Sequence, residues 1–416
     1  MKPISRRRWL AHALGTAFAV QGCGGGGGTE VAGAPGVGSG GTGITGGIGS
    51  GGTGIGMGSI SGFGSIVVSG TRFDIEGAEL QLADSPVLRL GMTVRVDGVV
   101  QPDLLEGTAT RVVSSADLRG HVTGLDRAAG RFRLWSVQVT TDAWTAYGGG
   151  LATLADLHDG AEVLVYGLPG PRAQLHATRI ERVAGQAPVL TGAIESLDRR
   201  NRSFRIGAQQ VGYRGAALLG GLTEDALAEG LSVRVRASVA APELAALSVE
   251  PVSTPTAQEG SRLSLDGLIS LLPSAGLVRI DNVPADLRNA RLTGGSLSDL
   301  VAGSRVEASG TIAGGVLVVS RLRLRRNDSG GTPGTPGTPG TPGTTPDEEP
   351  AYSVRGNVVR FVSVASFRVN GQDIDARAAS FANGASADLR QGRRVLVTGA
   401  RVDDDVLRAD RVQFLD

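Results

Sequence analysis

Residues 88–98 read Leu-Arg-Leu-Gly-Met-Thr-Val-Arg-Val-Asp-Gly, and their pattern, L-x-x-G-x-x-V-x-V-x-G, occurs five times along the chain, twice with an alanine substituted. The internal glycines of the five copies follow one another at steps of 69, 70, 73 and 89 residues: Gly91, Gly160, Gly230, Gly303 and Gly392. A near-constant spacing of this length is typical of tandem structural repeats. The sequence therefore predicts one small unit repeated five times.

Each copy also has a front half and a tail with the pattern of β-strands. In the last copy, Phe367 and Val369 alternate with polar residues, which places one face of the strand inward. Asn370-Gly371 follows directly and is a strong signal for a tight hairpin turn. No helical periodicity extends over twelve residues, although one helical turn is predicted before the L-x-x-G step at residues 152–157, 224–227 and 297–300. The units are therefore predicted to consist of short strands.

The predicted fold class is all-β, a tandem array of about five small β-barrel modules of the OB or SH3-like kind. Closure into a barrel removes the unpaired edges that a short open sheet would expose. The predicted modules, called repeats 1 to 5 below, are 58–116, 117–185, 188–253, 261–326 and 351–416.

The first 22 residues are predicted to be a signal peptide. Basic residues precede an apolar stretch from Trp9 to Val20, whose length of about 18 Å is too short for a membrane-spanning helix. Val20-Gln21-Gly22-Cys23 resembles a bacterial lipobox, so acylation of Cys23 is predicted to anchor the protein in the lipid bilayer. Arg6-Arg7-Arg8 also resembles part of a twin-arginine signal, which leaves the export route open. Gly24 after the cysteine favours the outer membrane, facing either the periplasm or the cell surface.

Two stretches of low complexity are predicted to lack regular structure. Residues 24–58 contain 19 glycines, so 23–57 is interpreted as a lipidated Gly-rich tether. Residues 327–350 contain repeated Gly-Thr-Pro and are interpreted as a stiffened linker. This linker is expected to hold repeat 5 apart from repeats 1 to 4.

The charge and cysteine content exclude several classes of function. The 416-residue chain has 41 basic and 40 acidic residues, and removing Lys2 and Arg6, Arg7 and Arg8 with the signal leaves 41 − 4 = 37 against 40. A balance of about −3 argues against a nucleic-acid partner. The single cysteine excludes a disulfide framework and a cysteine-based zinc site.

Few residues carry the chemistry that an enzyme requires. His121, His158 and His176 all fall in repeat 2 without counterparts in other repeats, so surface histidines are favoured over a metal cluster. The acidic run 403–405 is expected to be a solvated hairpin loop, since no calcium-binding loop pattern surrounds it. The sequence accordingly predicts no catalytic residues, no metal site, no cofactor and no enzymatic activity.

One arginine-rich strand is a candidate anion site. Arg321, Arg323 and Arg325 alternate with Leu322 and Leu324, so a strand would place the leucines inward and three guanidinium groups outward, about 7 Å apart. Such a row could hold a phosphate or sulfate through forked hydrogen bonds. The alternative is an ordinary cationic edge that prevents strand-to-strand aggregation.

The start of repeat 1, residues 62–74 (GFGSIVVSGTRFD), follows a Gly-rich lead and a lipobox and resembles a domain-of-unknown-function family, DUF5666. The resemblance covers about residues 58–326 and 351–416 and is best in repeats 1 and 5. It implies a bacterial protein, often a lipoprotein, with a repeated barrel module. It implies no catalytic residues.

The function predicted from these observations is that of a non-catalytic cell-envelope lipoprotein whose repeated modules bind or support an unidentified partner, such as another envelope protein. The first alternative is a surface binder of anionic glycans or lipopolysaccharide phosphates. The second alternative, an enzyme, is disfavoured because no polar constellation recurs in the five copies.

Overall fold

The computed structural model describes residues 52–170, 173–240, 243–252, 258–271, 276–325 and 352–415. Within these ranges the chain is all β, and its helical segments are short 3₁₀ turns at Leu154–Asp156, Leu297–Asp299 and Ser386–Asp388. The predicted all-β class is thereby confirmed, as is the helical turn before the L-x-x-G step in repeats 2 and 4. In the described part of the chain, no helix is long and apolar enough to cross a membrane.

The strands of repeats 1 to 3 are short, apart from the paired strands late in each repeat. Repeat 1 has β1 (Gly52–Phe63), β2 (Ile66–Val68), β3 (Thr71–Asp74), β4 (Glu79–Leu82), β5 (Thr93–Val100) and β6 (Glu106–Ser114). Repeat 2 has β7 (Leu118–His121), β8 (Thr123–Asp126), β9 (Arg131–Leu134), β10 (Val137–Thr140), β11 (Ala146–Gly148), β12 (Glu162–Gly170) and β13 (Gln174–Arg182). Repeat 3 has β14 (Val189–Ala193), β15 (Glu195–Asp198), β16 (Ser203–Ile206), β17 (Gln209–Gly212), β18 (Ala217–Leu218), β19 (Ser232–Ala240) and β20 (Glu243–Pro251).

Repeats 4 and 5 follow the same order of strands. Repeat 4 has β21 (Arg262–Leu271), β22 (Leu277–Ile280), β23 (Val283–Asp286), β24 (Arg291–Thr293), β25 (Arg305–Ala313) and β26 (Val316–Arg325). Repeat 5 has β27 (Tyr352–Ser363), β28 (Ser366–Val369), β29 (Gln372–Asp375), β30 (Ser380–Ala382), β31 (Arg394–Gly399), β32 (Arg401–Asp403), β33 (Val406–Arg408) and β34 (Arg411–Phe414).

The strands within a repeat pair in a closed order. In repeat 1, β1 pairs antiparallel with β2 and β5, β2 pairs with β3, and β5 pairs with β6. Strands β3 and β4 both run parallel to β6, which completes the circuit. The equivalent pairings occur in the four later stretches. The sheets are therefore barrel-like, with their polar backbone groups satisfied around the circuit.

The two glycines of the L-x-x-G-x-x-V-x-V-x-G pattern serve different purposes. The first has a positive φ in every copy, from 79° to 87°, because it turns the chain into the valine-rich strand. The second lies at a β-bulge, where the partner strand approaches closely. A Cβ atom at Gly98 would lie only 2.1 Å from the carbonyl oxygen of Thr108, and one at Gly310 only 2.0 Å from that of Val318. The pattern that revealed the repeats therefore records two backbone constraints.

The first strand of one repeat also pairs with the first strand of another. Strand β1 runs parallel to β21 over residues 54–57 and parallel to β27 at residues 62–63. Strands β7 and β14 pair antiparallel at residues 118–119 and 189–190. Through these contacts the strands of repeats 1, 4 and 5 form one continuous sheet and those of repeats 2 and 3 another.

The buried apolar residues form three cores, which follow the sheets only in part. One core combines residues of repeats 1 and 5, including Phe73 and Phe367, both without solvent exposure. A second core combines repeats 2 and 3, and a third belongs to repeat 4 with Ile55 of β1. The expectation that repeat 5 is held apart from the other repeats is therefore wrong, because its first strand and its core join those of repeat 1. The predicted linker 327–350 itself lies outside the described residues.

The predicted boundary between the tether and repeat 1 is also wrong. Strand β1 begins at Gly52, inside the stretch 23–57 that the glycine content marked as unstructured. A Cβ atom at Gly54 would lie 2.2 Å from Val100 Cγ2, and one at Gly56 would lie 2.6 Å from the ring of Phe73. Glycine is required at these positions because a Cβ atom would overlap the neighbouring side chains. The remainder of the tether, before residue 52, lies outside the described residues.

A glycine in the first strand of a repeat lies under a hairpin turn, which joins β2 to β3 in repeat 1, β9 to β10 in repeat 2 and β28 to β29 in repeat 5. In three repeats a side chain of this turn donates a hydrogen bond to the carbonyl group preceding that glycine; the donor and acceptor pairs are Ser69 and Met57, Trp135 and Arg119, and Asn370 and Arg355. A Cβ atom at Gly120 would lie 2.7 Å from the indole nitrogen of Trp135. This turn clasp explains the Gly-x-Ile/Val start of the repeats.

Repeat 4 has an aspartate in the turn clasp. Asp281 lies over Gly267 with a φ of 50°, and its carboxylate accepts a hydrogen bond from the backbone N–H of Leu268 at 3.1 Å. An ionised carboxylate cannot donate a hydrogen bond to the carbonyl group of Asp266, as the other clasps do. Burial, together with the nearby charge of Asp266, raises the pKa of Asp281 to about 8.

We expect Asp281→Asn to stabilise the protein, since an amide can both accept and donate in the clasp. A folded-state pKa raised above its ordinary value means that ionisation costs folding free energy, and this cost grows as the pH rises from about 4 to 8. The advantage of the variant should therefore be small near pH 4 and grow toward pH 8, by up to about 1.4 kcal/mol per pH unit, measured by urea unfolding.

Asp198→Asn serves as the control for this experiment, because a backbone hydrogen bond from Asn201 lowers the pKa of Asp198. Its replacement should reduce stability at pH 7, the opposite sign. A difference for Asp281→Asn that does not change with pH would contradict the assignment.

Candidate functional site

The predicted lipidation residue, Cys23, lies outside the described residues, as do the signal peptide and most of the tether. The described part of the chain nevertheless contains the other residues singled out from the sequence. These are the arginines of β26, the three histidines and the acidic run of repeat 5.

The arginine-rich strand has the predicted alternation, with Leu322 and Leu324 buried. Its arginines are not a free outward row, however. Arg325 is only 8% exposed and donates to Glu307 at 3.1 Å, and Arg323 is within 3.5 Å of the same carboxylate. Arg321 donates to the carbonyl group of Leu104 in repeat 1 at 2.6 Å. The predicted outward projection of all three is therefore wrong, because this face of the strand packs on other parts of the chain, while anion binding by Arg321, Arg323 and Arg325 stays a prediction.

A buried polar cluster lies where repeats 1, 2 and 4 meet, and we call it the polar junction: Ser59, Asp142, His176, Asp266 and Arg305. Arg305 donates to Asp266 through Nε at 3.0 Å and Nη2 at 2.8 Å, a two-point ion pair. The same Nη2 donates to Ser59 Oγ at 2.9 Å, and Ser59 Oγ donates to Asp266 at 2.8 Å. The side chains of Arg305 and Asp266 are 6% and 1% exposed.

The second half of the junction belongs to repeat 2. His176 Nε2 lies 2.8 Å from Asp142 Oδ2, and His176 Nδ1 lies 3.4 Å from the hydroxyl of Thr140. Arg305 Nη1 approaches the same carboxylate oxygen of Asp142 at 3.8 Å, which links the two halves. The other carboxylate oxygen of Asp142, Oδ1, accepts a hydrogen bond from the backbone N–H of Trp144 at 2.8 Å.

The electrostatics of the junction favour its charged form. Burial by itself would raise the pKa of Asp266, but Arg305 and the hydroxyl of Ser59 outweigh it and hold that pKa below its usual value. The pKa of Asp142 is also lowered, since His176 and Arg305 outweigh the effect of burial. The two carboxylates in turn raise the pKa of Arg305 against its own burial. Each charge in the junction is therefore stabilised by the presence of the others.

The junction contains the residue types of a hydrolase site without its connectivity. A nucleophilic serine needs a base that accepts its proton, and that base needs an orienting group. Ser59 Oγ donates to Asp266, whereas His176 contacts Asp142 and Thr140. Arg305 lies between the two halves and contacts both carboxylates. This arrangement holds strands together and does not form a nucleophile–base pair.

A neighbouring contact extends the junction to repeat 5. The guanidinium group of Arg325 lies over the ring of Trp144, 5.6 Å from its centre. The hydroxyl of Tyr352, in the first strand of repeat 5, donates to the carbonyl group of Trp144. Burial raises the pKa of Tyr352, so the hydroxyl stays protonated. Repeats 2, 4 and 5 thus meet at one tryptophan.

The acidic run of repeat 5 is not a solvated loop, contrary to expectation. Asp405 accepts hydrogen bonds from Arg179, whose side chain has no solvent exposure, and pairs with Arg89 at 3.0 Å. Asp404 accepts a hydrogen bond from the backbone N–H of Gly150 at 2.6 Å. Arg179 also donates to the carbonyl group of Leu90 at 3.0 Å. The run therefore docks repeat 5 onto repeats 1 and 2.

The three histidines do not come together. His121 and His158 are exposed, whereas His176 is 7% exposed within the junction. Within the described ranges, no group of three or more His, Cys, Asp or Glu residues could hold a metal ion.

Sequence reasoning missed the junction because its members do not recur from repeat to repeat. A signal was nevertheless present in the sequence. Asp266 and Glu307 are acidic residues within otherwise apolar strands, at positions where the other repeats carry different residues. A charge in such a strand is costly unless it has a partner, so each one predicts a buried opposite charge.

We expect Arg305→Met to destabilise the protein by about 3 kcal/mol or more, because it leaves Asp266 and Asp142 buried without their shared cation. Arg288→Met is the matched control: Arg288 also pairs with an aspartate in repeat 4, but its side chain is 67% exposed, so the loss should be far smaller than for Arg305→Met. Urea unfolding measures both.

The double variant Arg305→Met/Asp266→Leu tests the cause of this loss. It should recover part of the stability, since removing both charges leaves no unpaired carboxylate at that position. Equal losses for Arg305→Met and Arg288→Met would contradict the role of the junction.

Two stretches of the chain match a known family model, described as a domain of unknown function, DUF5666. The matched residues are 119–181 and 355–413, which fall in repeats 2 and 5. No curated protein matches the chain. The resemblance inferred from the sequence is confirmed for these two stretches, although residues 62–74 of repeat 1, which suggested it, lie outside them. Repeats 2 and 5 are therefore similar to the DUF5666 domain.

Proposed function

We propose that the protein is a non-catalytic cell-envelope lipoprotein that serves as a rigid scaffold of five small β-barrel modules of the OB or SH3-like kind. The observation that carries this proposal is the polar junction, in which buried charges of repeats 2 and 4 neutralise one another and Ser59 of repeat 1 hydrogen-bonds to them. Such pairs add little net stability, but they penalise any other arrangement of the modules. The module count is supported by the strand order, which closes in the same way in each stretch.

The scaffold role is favoured over an enzymatic role by how the polar groups are used. The reactive side chains within the junction donate to carboxylates or accept from arginines of another repeat. Arg179 donates hydrogen bonds to Glu181, to Asp405 and to the carbonyl group of Leu90, which belong to three different repeats. These contacts fix the repeats relative to one another and leave no oriented nucleophile in the junction.

The membrane part of the proposal rests on the sequence alone. The lipobox-like Val20-Gln21-Gly22-Cys23 would place a lipid on Cys23, and removal of residues 1–22 would then make Cys23 the mature N-terminus. The acylated cysteine would then insert into the bilayer, with the outer membrane as the favoured location. The modules would be presented to the periplasm or the cell surface, where another envelope protein is the expected partner.

A cleavage experiment tests whether the scaffold is rigid. A specific protease site is placed in the Gly-Thr-Pro run at 331–343, and the purified protein is cut there. We expect the fragment containing repeat 5 to co-elute with repeats 1 to 4 in size-exclusion chromatography, because β27 pairs with β1 and Asp405 pairs with Arg179.

The double variant Asp404→Ala/Asp405→Ala should weaken this association. On dilution, its fragments should elute separately at protein concentrations at which the unmodified fragments still co-elute. Asp103→Ala, an exposed aspartate in repeat 1, is the control and should not change it. Separate elution of the unmodified fragments at micromolar concentration would contradict a rigid scaffold.

The lipid anchor is tested by Cys23→Ser in the bacterial host. We expect the variant to leave the detergent-extracted membrane fraction and to retain its signal peptide or become soluble, since the acylated thiol is absent. Immunoblots of cell fractions measure both the location and the size. A mature-sized variant that still partitions with the membrane would show that the anchor lies elsewhere.

A further inference from the structure

Repeat 5 carries an open groove lined by three arginines, and we call it the arginine groove: Arg377, Ala400, Arg401, Asp403, Arg408 and Asp410. Its volume is about 440 Å³. The groove lies beside the third strand of the repeat, β29, and the hairpin of β32 and β33. All of its residues fall within 355–413, one of the two stretches that match the family model.

Two nearly buried carboxylates hold the arginines in place. Asp375 and Asp403 each have only 8% of their side chain exposed. Arg408 bridges them, with Nη1 2.7 Å from Asp375 and Nε 3.1 Å from Asp403. Arg377 donates to Asp375 through Nε and Nη2, and Arg401 donates to Asp403 through Nη2 at 2.6 Å. The carboxylates thus occupy the inner edges of all three guanidinium groups.

The outer edges of the same groups are available. Within the described residues, Nη1 of Arg377, Nη1 of Arg401 and Nη2 of Arg408 have no hydrogen-bond partner. The three side chains are 70%, 60% and 40% exposed, respectively. The ion pairs with Asp375 and Asp403 fix the orientation of these guanidinium groups. Binding of a ligand to their outer edges therefore costs less side-chain entropy than binding to an unpaired arginine.

The corresponding face of repeat 2 is a docking surface. Thr140 pairs with His176 at the register where Asp375 pairs with Arg408 in repeat 5. On repeat 2 this face carries His176 and Asp142, and it is covered by Arg305 of repeat 4. On repeat 5 no described part of the chain covers the equivalent face, which carries three arginines together with the two aspartates that pair with them and Asp410.

We propose that the arginine groove binds a phosphate monoester carried on a sugar-sized group. Guanidinium groups of three arginines line this groove, and guanidinium N–H groups bind phosphate oxygens through forked hydrogen bonds. A volume of about 440 Å³ is within the usual range of small-ligand sites and leaves room for a pyranose beside the phosphate. Ala400 is the one apolar residue of the lining, so an apolar ligand is disfavoured.

The charge of the groove is constant across the physiological range. Hydrogen bonds from Arg377 lower the pKa of Asp375 to about 2, and the pKa values of Arg377 and Arg401 are raised by their aspartates. Binding should therefore follow the ionisation of the phosphate and decrease with salt, as exposed charge interactions do.

This inference goes beyond the proposed scaffold role, since a scaffold does not require a ligand. The same phosphate chemistry is offered by a free sugar phosphate and by the phosphorylated glucosamine headgroup of an outer-membrane glycolipid. The experiment therefore has one arm for each source.

The first arm titrates glucose 1-phosphate into the full chain by calorimetry, with glucose as the uncharged match. The second measures co-sedimentation with phosphatidylcholine vesicles that contain lipid A, against vesicles without it. The test variant is Arg377→Gln/Arg401→Gln, which leaves Arg408 to pair with both buried aspartates, so the fold should be retained. The control is Arg131→Gln/Arg288→Gln, which removes the same charge from two exposed arginine–aspartate pairs on repeats 2 and 4.

We expect at least a tenfold loss of binding in the test variant and less than a twofold change in the control, in one arm or both. Loss in the first arm identifies a soluble sugar phosphate, and loss confined to the second identifies the glycolipid headgroup. The proposal is overturned if neither arm shows binding, if glucose binds as well as its phosphate, or if both variants bind equally. Failure of the cleavage experiment would affect only the scaffold role, because the groove lies within repeat 5.

Discussion

The first strand of each repeat has two hydrogen-bonding edges, and its own repeat covers only part of them. In repeat 1, β5 pairs along one edge of the N-terminal half of β1, and β2 pairs with β1 only near the C-terminal end of β1. A strand with an unpaired edge in a buried position would leave backbone N–H and C=O groups unsatisfied. Pairing between β1 and β21, β1 and β27, and β7 and β14 resolves this. This requirement joins repeats 1, 4 and 5 in one sheet and repeats 2 and 3 in another.

Once these strands meet, side chains on them become buried together. Glycines must occupy the closest approaches, as Gly58 does where a Cβ atom would lie 2.4 Å from Asp266 Cβ. Charged residues at the same surfaces must find partners, as Arg305, Asp266 and Asp142 do. Backbone pairing brings the repeats together without strong selectivity. The buried charges supply selectivity, because only one arrangement matches each cation to its carboxylate.

The repeats share a fold but use their equivalent faces differently. In repeat 2 the face beside β10 is buried against repeat 4. In repeat 5 the equivalent face, beside β29, is open. In the first it carries a histidine and an aspartate, and in the second it carries three arginines fixed by two aspartates. Under the scaffold function proposed above, some copies of the module would build the scaffold and others would present a surface. Structure and function are then separable within one chain.

The sequence by itself determined the elements that depend on local backbone geometry. The turn glycine before the valine-rich strand, the bulge glycine after it and the Asn370-Gly371 hairpin are each required by neighbours close along the chain or in the adjacent strand. The turn glycine recurs in all five copies and the bulge glycine in four, which is why the all-β class, the repeat period and several short strands could be predicted directly. Leu322 and Leu324 were placed inward correctly for the same reason.

Only the tertiary structure decided which surfaces of the repeats face one another. The roles of Arg325, Asp405 and the glycines of residues 52–58 depend on partners 100 or more residues away in several cases, such as Asp405 and Arg179, which are 226 residues apart. Composition therefore suggested a tether, a solvated loop and an outward arginine row where the fold has a strand, a docking contact and a buried ion pair. Strand pattern is set by a residue's immediate neighbours, whereas burial of a charge or a glycine is set by which edges pair across the whole chain.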